Sequence, residues 1–242
     1  MVLLCLLPTH SSEAGPPSDT LRTVFGDANK ILTDPATKQD PFERLVTIQA
    51  LIGRVFDFRD AAERSLGGQW QASSTAEQAE FTRIFSEFMQ RGFVYLLASV
   101  ADVDGDGGGI TVRFLRESVD REHATVQMVI AGRGGRLISL SHDLVYRDRR
   151  WVVRDVTIEG VSLVTNYRAQ FDRVIRVSSY PELIQRMKIR VAAGPGVGRA
   201  RHLRRRSEHR RRRRPHVEAG EKGRQGRRPI LTSTLIGGLD GN

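Results

Sequence analysis

The sequence predicts an α+β domain in which amphipathic helices pack on one face of a four-stranded antiparallel meander, with an arginine-rich, disordered tail after it. Three observations carry this reading. Apolar residues recur at helical spacing up to about residue 100, alternate with polar ones between residues 110 and 158, then return to helical spacing. All 10 Phe, 2 Trp and 4 Tyr lie before residue 191, so only that part can build a packed core. Residues 191–242 hold 14 of the 38 Lys and Arg and 4 of the 28 acidic residues; the whole formal charge of +10 sits there, and residues 1–190 sum to zero. The basic balance therefore describes an appendage and not the domain.

The first half reads as helices. Asp40 and Pro41 make a cap with proline at the first helical position, and Phe42, Leu45, Ile48 and Ile52 continue one face, which predicts a helix over residues 40–55. Asp57 caps a short helix ending at Gly67 and Gly68. Thr75 and Gln78 have the spacing of a capping box at the head of a longer helix. Along that helix Phe81, Ile84, Phe85, Phe88 and Met89 share a face, and Gly92 is the place for a kink before Tyr95 and Leu96.

Four strands follow. Their alternating sets are Ile110, Val112 and Phe114, then Ala124, Val126, Met128 and Ile130, then Ile138, Leu140, His142, Leu144 and Tyr146. In the fourth, Val152, Arg154, Val156 and Ile158 are expected on one face, with Trp151 and Val153 opposite. The links at residues 120–122, 132–135 and 147–149 are short and turn-like, so neighbours pair antiparallel. After Gly160, Val164, Tyr167, Phe171, Val174 and Ile175 return to helical period, and a last helix starts near Tyr180 with Leu183, Ile184 and Met187. One apolar sheet face must be covered by these helices.

The chain divides into three: residues 1–19, read as a short secretory leader or a disordered start; a domain over 20–190; and the basic tail over 191–242. The tail's composition is also what a shifted reading frame through GC-rich DNA would yield. The apolar run Val2–Leu7 is too short for a membrane span, and no other stretch approaches one. A single cysteine, Cys5, excludes an internal disulfide framework and a cysteine-based zinc cluster.

Motifs for chemistry are weak. Asp102, Asp104 and Asp106 open like a calcium loop, but position twelve, which needs a bidentate Glu, is Arg113. The glycines of residues 194–198 lack the preceding strand and the Lys-Ser/Thr of a phosphate loop. His142, Asp143 and Ser162 do not make a hydrolytic set, because neighbours on a strand point to opposite faces and no Gly-x-Ser-x-Gly elbow is present. Asp155 and Glu159 are the remaining candidates for a buried base. No cofactor or metal is expected. The apolar stripe Phe81, Phe85, Phe88 and Met89 serves equally well as solid core or as the wall of an apolar pocket between helices and sheet.

The segment from Asp155 to Phe171, DVTIEGVSLVTNYRAQF, resembles the hallmark of the MlaC/toluene-tolerance family of periplasmic phospholipid carriers. Phe56-Asp57-Phe58, Ser65-Leu66-Gly67 with Trp70, Thr75 to Phe81 with Phe85, Arg149 to Val153, and Ser179-Tyr180 with Leu183-Ile184 resemble family positions in the same order, over residues 20–190. Arg154, where an aromatic often precedes the Asp, and Gly92-Phe93 depart from the pattern. The resemblance implies an α+β domain with a hydrophobic cavity for acyl chains. It also implies a monomeric periplasmic carrier, without enzymatic activity, moving phospholipid or a related envelope lipid between an outer-membrane lipoprotein complex and an inner-membrane ABC transporter. The residues expected to line the cavity are Phe85, Phe88 and Met89 of the long helix, Val126, Met128 and Ile130 of the second strand, and Tyr167 and Phe171 after Gly160. The competing reading is a polyanion binder acting through Arg204–Arg214; without aromatics for base stacking, nucleic acid is a poor fit.

Overall fold

In a computed structural model describing residues 15–36, 41–101, 109–132, 135 and 137–193, five helices precede an antiparallel sheet and two follow it. Helix α1 (Pro17–Thr33) is one that the sequence reading leaves unassigned. Proline begins it and Leu21, Ala28 and Leu32 are buried along one stripe, so its signal is the ordinary helical spacing. Helix α2 (Pro41–Val55) runs as expected. Asp57 caps α3 (Phe58–Leu66) by accepting the Asp60 N–H at 3.0 Å, and the helix stops at Gly67, whose φ of 57° suits glycine. A five-residue α4 (Gly68–Ala72) follows.

The long helix α5 (Thr75–Ala101) is continuous across Gly92. Its capping box lies one residue earlier than the sequence reading puts it. Ser74 N–H and Oγ both donate to Glu77 Oε2 at 2.8 Å, and the Glu77 N–H returns a bond to Ser74 Oγ at 3.3 Å. Thr75-Gln78 has the same spacing, but an ionised carboxylate is a stronger acceptor than an amide, and these bonds hold the Glu77 carboxyl below its usual pKa.

The sheet has five strands in the order β1 (Thr111–Asp120), β2 (His123–Ala131), β3 (Leu137–Arg147), β4 (Arg150–Ile158) and β5 (Val161–Ser162), each antiparallel to the next. The expected four strands become five because Glu159 and Gly160, with φ of 50° and 82°, fold the chain straight back so that Ile158 pairs with Val161. The expected face of β4 also needs correction. His142 pairs with Val156 but Leu144 pairs with Val153, so a bulge at Arg154 and Asp155 changes the phase. Trp151, Val153, Val156 and Ile158 thus share the core face, and Val152 lies on the other side opposite Val145. The freed Arg154 side chain reaches Asp60 at 3.2 Å, and its carbonyl accepts a bond from Arg64 at 3.3 Å, which fastens α3 to the bulge.

Helices α6 (Leu163–Val177) and α7 (Tyr180–Ala193) complete the domain. One continuous core joins the face of β2–β4 to α1, α2, α3, α5, α6 and α7. Two close approaches set its outline. A Cβ on Gly132 would fall on the Val100 carbonyl, so the end of β2 touches the last turn of α5 backbone to backbone. Helix α1 is tied to β1 by Asn29 Oδ1 accepting the Ile110 N–H at 2.7 Å, by Ser18 N–H donating to Glu117 Oε2 at 2.8 Å, and by Arg22 standing 4.1 Å from the centre of the Phe114 ring. No helix among the described residues is long and apolar enough to cross a membrane. Residues 1–14 of the expected leader, the Asp102–Asp106 carboxylates and the tail from residue 194 onward lie outside the described residues, whereas residues 17–19, read as part of the leader, open α1 and residues 191–193, read as part of the tail, end α7.

Candidate functional site

Between the helices and the sheet lies a pocket of about 60 Å³. Helix α1 contributes Leu21, Val24, Phe25 and Ala28; α2 contributes Ile48, Leu51, Ile52 and Val55, followed by Phe56. Phe93, Leu96 and Leu97 of α5 form a third wall, and Leu140, His142, Val153 and Val156 form the sheet side. Fifteen of these sixteen residues are apolar, and the exception is His142. The walls follow from periodicity: the α1 and α5 sets recur at three and four residues, while the β3 pair alternates and the β4 pair spans the bulge.

His142 is 6% exposed, and its Nδ1 is buried without a hydrogen-bond partner among the described residues. The Phe25 ring meets the imidazole edge-on at 5.9 Å. Burial depresses its pKa from 6.5 to about 4, with the Val126 backbone pulling weakly the other way, so the ring is neutral near neutral pH.

None of the eight residues expected to line a cavity borders this pocket. Phe85, Tyr167 and Phe171 pack into one aromatic cluster with Phe81: Phe85 meets Tyr167 and Phe171 edge-on, each at 5.9 Å, and Phe81 meets Phe171 at 5.6 Å. Half-buried Phe88 joins at Tyr167, 5.4 Å away. These contacts knit α5 to α6, and burial raises the Tyr167 hydroxyl pKa well above its usual value. Met89 is fully buried one helical turn before Phe93, so it continues the stripe that walls the pocket. Val126, Met128 and Ile130 are fully or almost fully buried on the same sheet face as the pocket, directly opposite His142, Leu140 and Ile138. The expected set thus splits into a helix cluster and a strand row flanking the observed lining. Alternation and helical period named the correct faces of β2 and α5, but they could not say at which end of each face the walls stand apart.

The candidates for catalysis are engaged elsewhere. Asp155 Oδ1 accepts the N–H groups of Val156 at 2.8 Å and Val164 at 3.2 Å, while Oδ2 accepts the Ser162 hydroxyl at 2.6 Å. Ser162 Oγ in turn caps α6 by accepting the Thr165 N–H at 3.1 Å. Glu159 Oε1 accepts the Ser139 N–H at 2.6 Å. Asp143 pairs with Asp155 across the strands on the face opposite His142, and burial raises its carboxyl pKa against the pull of Arg154 and Arg64. Among the described residues no group of His, Cys, Asp and Glu is placed to hold a metal ion.

A family model described as MlaC protein matches residues 22–189. Among solved structures, the chain is similar to a phospholipid-binding protein from Ralstonia solanacearum, solved in complex with a phospholipid, at 20% identity and a TM-score of 0.63 over 73% of this chain and 97% of that one. At this identity the likeness is one of fold. No curated relative matches the chain.

Proposed function

The chain belongs to the MlaC protein family, and from that premise we propose that it is a phospholipid carrier whose cargo enters the pocket between α1, α2, α5 and the sheet. The observation that carries this reading is the lining of fifteen apolar residues around one neutral imidazole. Such a surface has nothing to offer a charged or strongly polar substrate. It offers a hydrocarbon chain about 0.8 kcal/mol for each CH₂ withdrawn from water.

The pocket of about 60 Å³ has room for a few waters at most, far less than two acyl chains need, so a lipid requires it to widen. The path for widening is the α5 stripe. From Leu97 through Phe93 and Met89 to Phe85 the helix rises about 18 Å, and over that length Phe85, Phe88, Met89, Tyr167 and Phe171 form the proposed second wall. Val126, Met128 and Ile130 extend the floor. In this reading the protein works as a monomer in the periplasm, exchanging lipid with an outer-membrane lipoprotein complex and an inner-membrane ABC transporter. Nothing is cleaved or formed: transport consists of covering acyl chains.

The test is the lipid content of the full chain purified from a bacterial host without detergent. Mass spectrometry of its organic extract is expected to give a diacyl phospholipid near one per chain. A well-folded protein that carries none, and takes none up from vesicles, ends the proposal.

A further inference from the structure

An imidazole is a poor choice for an apolar wall. A leucine or phenylalanine at position 142 would fill the same place without leaving a polar atom buried, and buried polar atoms without partners are rare and unfavourable. Yet Nδ1 of His142 has no partner among the described residues, with Leu140 beside it on the strand, Val126 and Val156 opposite it on the neighbouring strands, and the edge of Phe25 above it. His142 as a residue also lines the pocket, so an atom that widens the space comes close to its ring.

Taking the carrier reading as given, we infer that His142 is a polar anchor inside the pocket, which accepts a hydrogen bond from an uncharged hydroxyl on the lipid chain. The neutral ring, held so by burial, disfavours the phosphate, since no lining residue brings a positive charge to meet it. A neutral imidazole donates from one nitrogen and accepts at the other; the Val126 backbone takes its N–H, so the unpaired Nδ1 is the acceptor and calls for a hydroxyl that donates to it. A lipid that brings such a hydroxyl to Nδ1 satisfies it; one that is plain hydrocarbon at that depth leaves it unpaired. The pocket thereby distinguishes lipids of equal apolar area, which an all-apolar wall does only weakly.

The experiment is a competition. The full chain is incubated with vesicles holding equal amounts of a diester phosphatidylethanolamine, its diether analogue and a diether analogue hydroxylated on its chains, and the protein-bound lipid is counted by mass spectrometry. The wild type is expected to enrich the hydroxylated diether over the plain diether and the diester, neither of which offers a donor along its chains, by roughly tenfold, the worth of one hydrogen bond. Enrichment of the diester instead overturns the inference, since an ester has no proton to give. His142→Phe, which keeps an aromatic ring, is expected to bring the ratio to about one without lowering the melting temperature. His142→Gln, which keeps a donor and an acceptor, is expected to retain the preference. Equal capture of all three lipids by the wild type overturns this inference alone, as does an unchanged ratio in His142→Phe. Capture of none overturns the carrier reading and this inference with it.

Discussion

The ring of Phe25 on α1 stands edge-on to the imidazole of His142 on β3, 5.9 Å between centroids and 88° between planes. The contact spans the pocket from helix to sheet, and the imidazole beneath it is buried. In the folded chain His142 takes its proton only near pH 4, because burial disfavours the charged ring, whereas once unfolded it does so near 6.5. Between these values the unfolded chain binds one more proton, so stability falls as pH is lowered through that window, by up to about 3 kcal/mol. Urea midpoints at pH 7, 5.5 and 4.5 measure this. The His142→Phe variant is expected to lose that part of the slope, and an identical slope in both proteins would count against it.

Met128 is fully buried between Phe114 on β1 and Leu140 on β3. If the cavity widens along β2 when lipid enters, Met128→Arg loses bound lipid while the chain still folds, because the guanidinium can reach the widened mouth. That is the expected outcome, with a melting temperature lowered modestly. A chain that is unfolded, as a loss of about 3–5 kcal/mol for an unpaired buried charge would make it, would show that β2 faces solid core.

Asp155 joins β4 to the start of α6 through Val164 N–H and the Ser162 hydroxyl. Asp155→Ala removes the acceptor for three donors at once and is expected to cost about 3 kcal/mol. Ser162→Ala removes only the cap, at about 1 kcal/mol. Chemical denaturation of both variants checks the order; equal losses would mean that the carboxylate does no more than orient the hydroxyl.

How far the fold could be read follows from these same residues. The helical faces of α2, α3, α5, α6 and α7 were open to reading because each repeats over two or more turns. Helix α1 was equally readable, since Leu21, Ala28 and Leu32 recur at helical spacing. The β4 face was not readable, because the run Trp151-Val152-Val153 fits either phase and the bulge that decides it depends on pairing with β3. The pocket was hidden for a related reason. Phe85, Met89 and Phe93 lie on one stripe, and only the placement of α1 and α2 determines which part stands over open space.

The fourth expectation concerns the tail. Ending the chain after Ala193, where α7 stops, leaves every described contact in place, including the Arg91 bond to the Val191 carbonyl at 2.6 Å. Lipid content by mass spectrometry is expected to match that of the full chain, while the salt needed to elute the protein from heparin falls steeply. Loss of lipid on truncation would move the function to the tail.

The pocket draws its walls from residues 21–28, 48–56, 93–97 and 140–156, so no contiguous stretch of chain contains it. As the polypeptide emerges, α1 and α2 can form early but have only each other and then α5 against their apolar stripes until β3 and β4 arrive about a hundred residues later. During that interval the sheet-facing side of the future pocket is uncovered, and an uncovered apolar stripe of this kind is open to self-association. A lipid or a chaperone that shields α1 and α2 in that window would raise the yield of native protein without touching the final fold.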